Sequence, residues 1–183
     1  MKKAVIALLS MSLCGCAAFS SFEPGSSYCE VAAEDLLQAN HTAVDQLLAS
    51  MLPNKGFIKS QPIIVATLVN IDDLTSSRLG RVLSEQIGTK LTKSGYSVIE
   101  LKLRGNIFVK QSEGEFLLSR EVKDISLNHK AQAVVVGTYA ESRGYVYVTV
   151  KIVSANDNQT IAAHDYALPL DANIRSLLWT AGK

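Results

Sequence analysis

The stretch PIIVATLVNIDDLTSSRLGRVLSEQI, residues 62–87, contains the strand, the loop and most of the helix that decide the fold of this chain. Its first part, residues 63–69, is a short run of apolar and mainly β-branched side chains, which predicts a strand buried on both faces in the middle of a sheet. The polar loop that follows offers three hydroxyl side chains that can cap the next helix: Thr75, Ser76 and Ser77. The stretch therefore predicts the first half of a strand–helix–strand unit.

The helix predicted over residues 78–93 carries a stripe of small residues, Gly80, Ser84 and Gly88, on one side. A glycine inside a helix costs about 1 kcal/mol relative to alanine, so two glycines in one stripe indicate a backbone that packs very close to a neighbour. Dimerisation of membrane helices is the alternative explanation, but this helix also carries several charged residues: Arg81, Glu85 and Lys90. The stripe therefore predicts close packing on the sheet or on the first helix.

The segments that follow this helix supply the next elements. Residues 96–101 predict the second strand, residues 107–109 can form a short strand, and residues 112–115 can form a turn. Ser119 can cap a helix that runs to about residue 129. Residues 133–139, AVVVGTY, are again apolar over their whole length, which predicts another central strand.

The last part of the chain has an antiparallel pattern. Apolar and polar residues alternate over residues 145–152, the turn Asn156-Asp157-Asn158 leads into a strand over residues 160–168, and Asp171 can cap a short helix at residues 173–179. Strand–helix–strand crossovers are right-handed. The predicted fold class is therefore α/β with α+β character: a single mixed β-sheet with helices packed on it, in which strand–helix–strand units are followed by an antiparallel meander.

Apolar residues also recur at helical spacing over residues 30–51, with acidic residues in the first turns. Pro53 and Gly56 end this helix. Asn40 and His41 interrupt its middle, where the helix can break into two pieces.

The first 16 residues, MKKAVIALLSMSLCGC, predict export from the cytoplasm and a lipid anchor. Two lysines precede an apolar run that is too short to span a bilayer and has the length of a secretory signal core. Leu13-Cys14-Gly15-Cys16 resembles a bacterial lipobox, in which a small residue precedes the lipidated cysteine. Gly15 therefore places the lipid on Cys16, whereas Leu13 is too large to precede a lipidated Cys14. A plain secretory signal, cut at a nearby small-residue site, is the alternative.

Processing at Cys16 would divide the chain into a removed signal peptide (residues 1–15), a lipidated cysteine with its tether (16–29) and one domain (30–183). The tether reaches about 40 Å when it is extended and about 20 Å as a coil, which holds the domain near the membrane. Ala17 stands where an inner-membrane-retained lipoprotein would usually have Asp. By resemblance to that sorting rule, we expect an outer-membrane anchor with the domain facing the periplasm.

The mature chain is nearly neutral. Loss of Lys2 and Lys3 leaves 16 basic against 17 acidic residues, a formal charge of −1. This balance gives no electrostatic attraction for nucleic acid or anionic lipid, so no nucleic-acid partner is expected. Besides Cys16 the processed chain keeps Cys29, and the fold therefore needs no intramolecular disulfide. Cys29 could pair between chains in an oxidising compartment or have no role.

No catalytic or metal-binding motif accompanies the three histidines of the chain: His41, His129 and His164. His164 and Asp165 are adjacent on a strand and therefore point to opposite faces. Asp72 and Asp73 follow the carboxyl end of a central strand, where open sheets place ligands, but turn and cap chemistry is the favoured explanation for them. We therefore expect that the protein is not an enzyme and that it has neither a cofactor site nor a metal site. A lipid-anchored hydrolase that uses Asp72, Asp73 and His164 is a disfavoured alternative.

Tyr145 and Tyr147 lie on the polar face of the alternating strand. Tyrosine is enriched at protein interfaces, so the two residues could form a partner surface. They could equally be cross-strand packing pairs. Both interpretations stay open, and this pair is the candidate interface of the chain.

Five segments carry a resemblance to a known family: ANHTAVDQL (39–47), PIIVATLVNIDDLTSSRLGRVLSEQI (62–87), GYSVIELKLRGNIFV (95–109), GEFLLSREV (114–122) and AVVVGTYA (133–140). Through them the chain, from about residue 39 to residue 178, resembles the FlgO family of flagellar outer-membrane lipoproteins, found in bacteria with sheathed polar flagella. The middle block is also similar to the amino-terminal domain of TolB and to the periplasmic domain of the curli secretion lipoprotein CsgG, a likeness of fold that says little about function.

The resemblance implies a non-enzymatic, palmitate-bearing lipoprotein of the outer-membrane collar around the flagellar basal body, the H ring, needed for motility and flagellar stability. Its partners would be the membrane, other H-ring and basal-body proteins and, in a ring, further copies of the chain. The family has no catalytic residues to carry over. An envelope secretion accessory of the curli-lipoprotein type is the alternative, weakened because the chain offers no long amphipathic hairpin for a pore.

Overall fold

The computed structural model describes residues 27–51, 57–101, 108–110, 116–118 and 120–178. The helices are α1 (Ser27–Ala49), α2 (Arg78–Lys93), α3 (Arg120–Asn128) and α4 (Ala172–Leu178). The strands are β1 (Ile63–Ala66), β2 (Val69–Asn70), β3 (Val98–Leu101), β4 (Phe108–Lys110), β5 (Phe116–Leu118), β6 (Ala133–Glu141), β7 (Tyr145–Ser154) and β8 (Thr160–Pro169).

The strands of the main sheet lie in the order β3-β1-β6-β7-β8. β1 pairs in parallel with β3 and β6, and the short β2 also pairs in parallel with β6. β7 and β8 continue the sheet as an antiparallel meander. The predicted fold class, one mixed sheet with strand–helix–strand units followed by a meander, is confirmed; β4 and β5 add a separate antiparallel pair.

The main sheet has two unlike faces. On the inner face, a large core combines side chains of α1, α2 and α4 with those of the strands, among them Leu47, Leu83, Ile174, Val148 and Ile152. On the outer face, a smaller cluster that includes Ile64, Val134 and Val136 packs against Ile125 of α3. Along β7 the predicted alternation is confirmed, because every second residue from Val146 to Ile152 is buried on the inner face.

The apolar run predicted as one strand over residues 63–69 forms two strands, so this prediction is wrong in its middle. The register places Val65 opposite Val135 and Val69 opposite Thr138. The segment that contains β1 and β2 therefore advances by four residues over the length in which β6 advances by three. The surplus residue cannot pair with β6, and the ladder breaks between β1 and β2.

Leu68 lies in this break and is fully buried. A Cβ added to Gly137 of β6 would lie 2.9 Å from Cγ of Leu68, and a Cβ added to Gly80 of α2 would overlap the carbonyl oxygen of Leu68. Glycine at these two positions therefore makes room for the break. The close packing that the small-residue stripe predicts, with α2 on the sheet, is confirmed.

The first helix differs from its prediction in two ways. α1 begins at Ser27 rather than at residue 30, so it includes Cys29, and it runs unbroken through Asn40 and His41. The expected break is wrong because the side-chain amide of Asn40 is bonded to neighbouring elements. It therefore does not compete for the backbone of its own helix.

The predicted caps of two helices are confirmed. The Ser77 hydroxyl accepts from the N–H of Gly80 at 3.1 Å, and the Asp171 carboxylate accepts from the N–H of Ile174 at 2.7 Å. The short strand expected at residues 107–109 appears as β4, whereas β5 was not anticipated. The predicted turn at residues 112–115 and Ser119 lie outside the described residues.

Candidate functional site

The outer face of β7 carries two exposed tyrosines, which we call the tyrosine pair. Tyr145 and Tyr147 are 50% and 55% exposed. Their ring centroids lie 6.4 Å apart, and the ring planes are inclined by 38°. Because residues two apart on a strand share a face, the rings form one continuous aromatic surface.

Small side chains flank the tyrosine pair. Tyr147 lies opposite Ala140 of β6 on one side and Ala167 of β8 on the other, and Tyr145 lies opposite Pro169. Within the described strands the register therefore supplies no aromatic cross-strand partner for either ring. The rings project beyond these small side chains, so a flat partner surface could contact both rings.

The outer face divides into a covered and an uncovered half. α3 packs over the part formed by β1 and β6 through Ile125. Apart from the partly buried Thr149 and Val153, the half formed by β7 and β8 carries exposed side chains: Tyr145, Tyr147, Lys151, Ala163, Asp165 and Ala167. Within the described part of the chain, no helix packs over most of this half of the outer face.

The turn between β6 and β7 fixes the start of the tyrosine pair. The Ser142 hydroxyl donates to the carbonyl oxygen of Tyr145 at 2.9 Å, and the backbone N–H of Ser142 donates to the same oxygen at 2.8 Å. Ser142 Oγ also accepts from the N–H of Tyr145 at 3.3 Å. Both the N–H and the carbonyl oxygen of Tyr145 are therefore hydrogen-bonded to Ser142.

The two adjacent aspartates take part in the turn after β2 in different ways, Asp73 through its carboxylate and Asp72 through its backbone N–H. Asp73 accepts from the N–H and the hydroxyl of Thr75, both at 2.9 Å. The backbone bond, and after it the side-chain bond, lowers the pKa of Asp73 from its ordinary value of 3.8. Asp72 donates its backbone N–H to Oδ1 of Asn70 at 2.8 Å. The turn interpretation is confirmed for the Asp73 carboxylate, whereas Asp72 enters the turn through its backbone N–H, and the cap of α2 is Ser77.

Asp72 and His164 line different clefts. Asp72 borders an open space of about 710 Å³ together with Glu141, Arg143 and Arg175. His164 borders another space, beside α1, and its ring stacks on Tyr166 with centroids 6.3 Å apart. The structure therefore does not assemble the residues that the hydrolase alternative requires.

The other histidines form no metal centre in the described part of the chain, where no group of three or more metal-ligating side chains is found. His129 is exposed. Nε2 of His41 is buried without a hydrogen-bond partner among the described residues. Burial, followed by the charges of Lys93 and Lys90, lowers the pKa of His41, and Asp45 acts in the opposite direction.

Asn40, a buried polar residue that interrupts the apolar pattern of α1, links three elements. Nδ2 of Asn40 in α1 donates to the carbonyl oxygen of Leu83 and to Oε1 of Gln86 in α2, both at 3.0 Å. Oδ1 of Asn40 accepts from the hydroxyl of Tyr166 in β8 at 2.6 Å. Burial raises the pKa of Tyr166, which keeps this donor protonated. We call this arrangement the Asn40 junction.

The signal for this junction was present in the sequence. Asn40 shares its helical spacing with Leu36, Val44 and Leu47, which are all buried. An amide in the apolar stripe of a helix requires buried partners. The partners themselves could not be identified without the packing of α2 and β8.

The predicted lipidation site falls outside the described residues, as do the signal peptide and the tether up to residue 26. Cys29 lies within α1. Among the helices that the structure describes, none is long and apolar enough to cross a membrane.

Comparison with known proteins gives one family and several similar folds. The sequence signature of the FlgO protein family matches residues 41–173. The C-terminal domain of LpoB from Salmonella enterica aligns with 73% of this chain and 97% of that domain, at 15% identity and a TM-score of 0.51. The NMR structure of Escherichia coli LpoB aligns over 91% of this chain and 82% of that chain, at 12% identity and a TM-score of 0.51.

TolB from Acinetobacter baumannii is also similar, over 63% of this chain and 25% of that chain, at 14% identity and a TM-score of 0.41. Among curated protein sequences no match is found. The LpoB alignments show a shared fold, and the FlgO match confirms the family that the sequence resembles.

Proposed function

The chain belongs to the FlgO family, and from that membership we propose that it is a non-enzymatic lipoprotein of the outer-membrane collar around the flagellar basal body, the H ring. In this proposal Cys16 carries the lipid, the domain faces the periplasm, and the tyrosine pair contacts a neighbouring protein of the collar. The observation that carries the proposed role is the FlgO match over residues 41–173, and the observation that supports the proposed contact is the exposed tyrosine pair on a sheet half that the described helices leave uncovered.

The anchor would make weak contacts effective. α1 begins at Ser27, so residues 17–26 join it to Cys16 and reach about 33 Å at full extension. A protein confined to so thin a layer meets its neighbours at a high effective concentration. Repeated contacts between anchored neighbours can then close a ring even when each contact is weak.

The tyrosine pair suits such a contact for two reasons. Tyrosine combines a large apolar ring with a polar hydroxyl and is enriched among the residues that dominate binding energy. The pair also lies on a paired strand whose first residue is held by Ser142. A contact on this platform orders little further backbone, which lowers the entropic cost of association.

The anchor is tested by Cys16→Ser, with Cys14→Ser as the matched control. We expect Cys16→Ser to leave an unprocessed or soluble protein that is lost from the outer-membrane fraction, because the lipobox cysteine is the acceptor of the lipid. Cys14→Ser should fractionate like the wild type. Immunoblots of separated membranes measure both, and wild-type membrane levels of Cys16→Ser would contradict the anchor.

The contact is tested by the double variant Tyr145→Ser, Tyr147→Ser. We expect a folded, lipidated protein at normal abundance that no longer assembles around the flagellar base, and cells that swim poorly, because the contact loses both rings. Leu127→Ser, which alters a side chain of α3 that is 68% exposed, is the control and should behave like the wild type. Swimming in soft agar and electron cryotomography of the collar are the measurements.

An intact collar with normal motility in the tyrosine variant would show that the contact lies on another surface. Tyr145→Thr, Tyr147→Thr removes both rings but places a β-branched residue, which favours strand structure, at both positions. It therefore separates loss of the contact from loss of the strand, and we expect the same motility defect.

A further inference from the structure

β8 forms one edge of the main sheet, with β7 as its sheet neighbour. Just beyond β8, Leu170 donates its N–H to the carbonyl oxygen of Gly144 at 2.9 Å, so even-numbered residues direct their backbone groups toward β7. The odd-numbered residues of β8 from Ala163 onward therefore direct theirs toward the free edge. Ala163 agrees, because its carbonyl oxygen accepts from Oγ of Ser50, after the end of α1, at 3.1 Å.

A short window of this edge keeps its backbone groups unpaired within the described part of the chain. Ser50 occupies the carbonyl of Ala163 at one end. At the other end Pro169 has no N–H, and its carbonyl accepts from the N–H of Asp171 at 2.9 Å. Between them, Asp165 and Ala167 each offer one donor and one acceptor, which is the hydrogen-bonding pattern that an additional strand requires.

An apolar cleft adjoins this window. It has a volume of about 580 Å³ and lies between α1, α4 and β8. Its apolar lining includes Leu36, Ala39, Ala43, Leu168 and Ile174. A strand added along β8 would direct every second side chain to the inner side, where the cleft lies, and the remaining side chains to the outer face.

The charges around the window select the ligand. Among the described residues, the lining of the cleft includes Asp171 and neither lysine nor arginine, and Asp165 is exposed on the outer face in the middle of the window. A residue placed directly opposite Asp165 would share its face, with Cβ atoms about 5 Å apart. A basic side chain is therefore favoured at that position, and an acidic one is disfavoured.

We propose that the edge of β8 at Asp165 and Ala167 binds an extended segment of a partner protein as an additional strand. The segment carries apolar side chains that enter the cleft and a basic side chain opposite Asp165, in the order apolar–basic–apolar. The backbone bonds supply affinity, and the cleft and Asp165 supply specificity. A second copy that paired through its own β8 would bring another Asp165, and no basic side chain of the window, to this edge, which argues against self-pairing.

Binding is tested with the full chain purified in detergent and a fluorescein-labelled peptide, TVKVKVT. We expect saturable binding with a Kd of about 10–100 μM, since a short strand gains few contacts. The peptide TVEVEVT should bind at least about tenfold more weakly, because its acidic side chains face Asp165. TVKVKVT methylated at the backbone nitrogens of its three central residues loses donors on both of its edges and should also bind at least about tenfold more weakly.

Substitutions at the edge test the geometry. Ala167→Pro removes an outward N–H and should weaken binding of TVKVKVT at least about tenfold. Ala167→Val, which keeps that N–H, is the matched control and should bind like the wild type. Asp165→Lys should invert the preference, so that TVEVEVT binds more tightly than TVKVKVT. This gain of binding cannot arise from a failure to fold.

Any of three results would overturn the proposal. They are no saturable binding of TVKVKVT at peptide concentrations below about 1 mM, unchanged peptide binding in Ala167→Pro, or an unchanged preference between the two peptides in Asp165→Lys. Two further results would also overturn the proposal, because each would assign the β8 edge to a different occupant. One is a wild-type dimer in sedimentation velocity that Ala167→Pro converts to monomer. The other is a more than tenfold gain in peptide affinity when residues 17–26 are deleted.

Discussion

The two halves of the sheet hold their helices in different ways. In the parallel half, formed by β1, β3 and β6, both faces are packed, and α2 comes so close that Gly80 has no room for a Cβ beside Leu68. In the antiparallel half, formed by β7 and β8, the inner face is packed and the outer face is exposed. There α1 is joined to the strands by the Asn40 junction as well as by apolar contacts. The first half is packed on both faces, and the second half is the one to which we assign the proposed contacts with other molecules.

The largest effect is expected where the parallel half is tightest. Gly80→Ala places a Cβ against the carbonyl of Leu68, and we expect it to lower the free energy of unfolding by about 3 kcal/mol, because backbone must move. Gly88→Ala is the matched control. Its nearest neighbour is the carboxylate of Glu100 at 3.0 Å, at the end of a side chain that can rotate away.

For Gly88→Ala we expect a change within about 1 kcal/mol, since better helix propensity offsets the contact. Urea denaturation of both variants is the measurement. Equal losses at the two glycines would mean that α2 does not rest on the sheet through Gly80.

An intermediate effect is expected at the Asn40 junction. Asn40→Ala leaves the buried hydroxyl of Tyr166 without its acceptor, and we expect a loss of about 2 kcal/mol of unfolding free energy. In a double-mutant cycle with Tyr166→Phe, the double variant should lose about 1 kcal/mol less unfolding free energy than the sum of the two single losses. Gln38→Ala, on the exposed side of the same helix, should cost less than about 0.5 kcal/mol. Additive losses would show that the hydroxyl and the amide do not interact.

The smallest effect concerns the exposed turn after β2. Hydrogen bonds from Thr75 lower the pKa of Asp73 below 3.8 in the folded chain, so the folded state favours the ionised carboxyl. Its stabilisation is present above the unfolded pKa and is lost as the pH falls through the folded pKa. We therefore expect the difference in urea midpoint between the wild type and Asp73→Asn to shrink from about pH 5 to about pH 2.5. A difference that grows with acidification would contradict the assignment.

Much of this architecture could be predicted from local patterns. Continuous apolar runs predicted the strands with two packed faces, and the alternation after Tyr145 predicted a strand with one exposed face. The caps Ser77 and Asp171 were also predictable, because each side chain accepts a hydrogen bond from a backbone N–H only three residues further along the chain. The exposure of Tyr145 and Tyr147 followed from the same alternation.

The remaining features depend on partners that are distant in the sequence. The break at Leu68 exists because β1 and β2 together have one residue more than the facing part of β6. Asn40 was expected to disturb α1 because its partners, Gln86 and Tyr166, are 46 and 126 residues away. The edge of β8 and its cleft likewise appear only when α1 is placed beside the last strand.

The register shift between β7 and β8 has a consequence for how this domain can vary in length. Val153 pairs with Thr160 and Ile152 pairs with Ala162, so Ile161 is an extra residue in the ladder. Both Ile161 and Ala162 are buried, and from there on His164, Tyr166 and Leu168 share the side of the sheet that faces α1. A one-residue deletion at this bulge would restore a regular ladder and leave those side chains facing inward. A one-residue deletion after Tyr166 would instead turn Leu168 outward, so related chains can shorten at the start of this strand more readily than at its end.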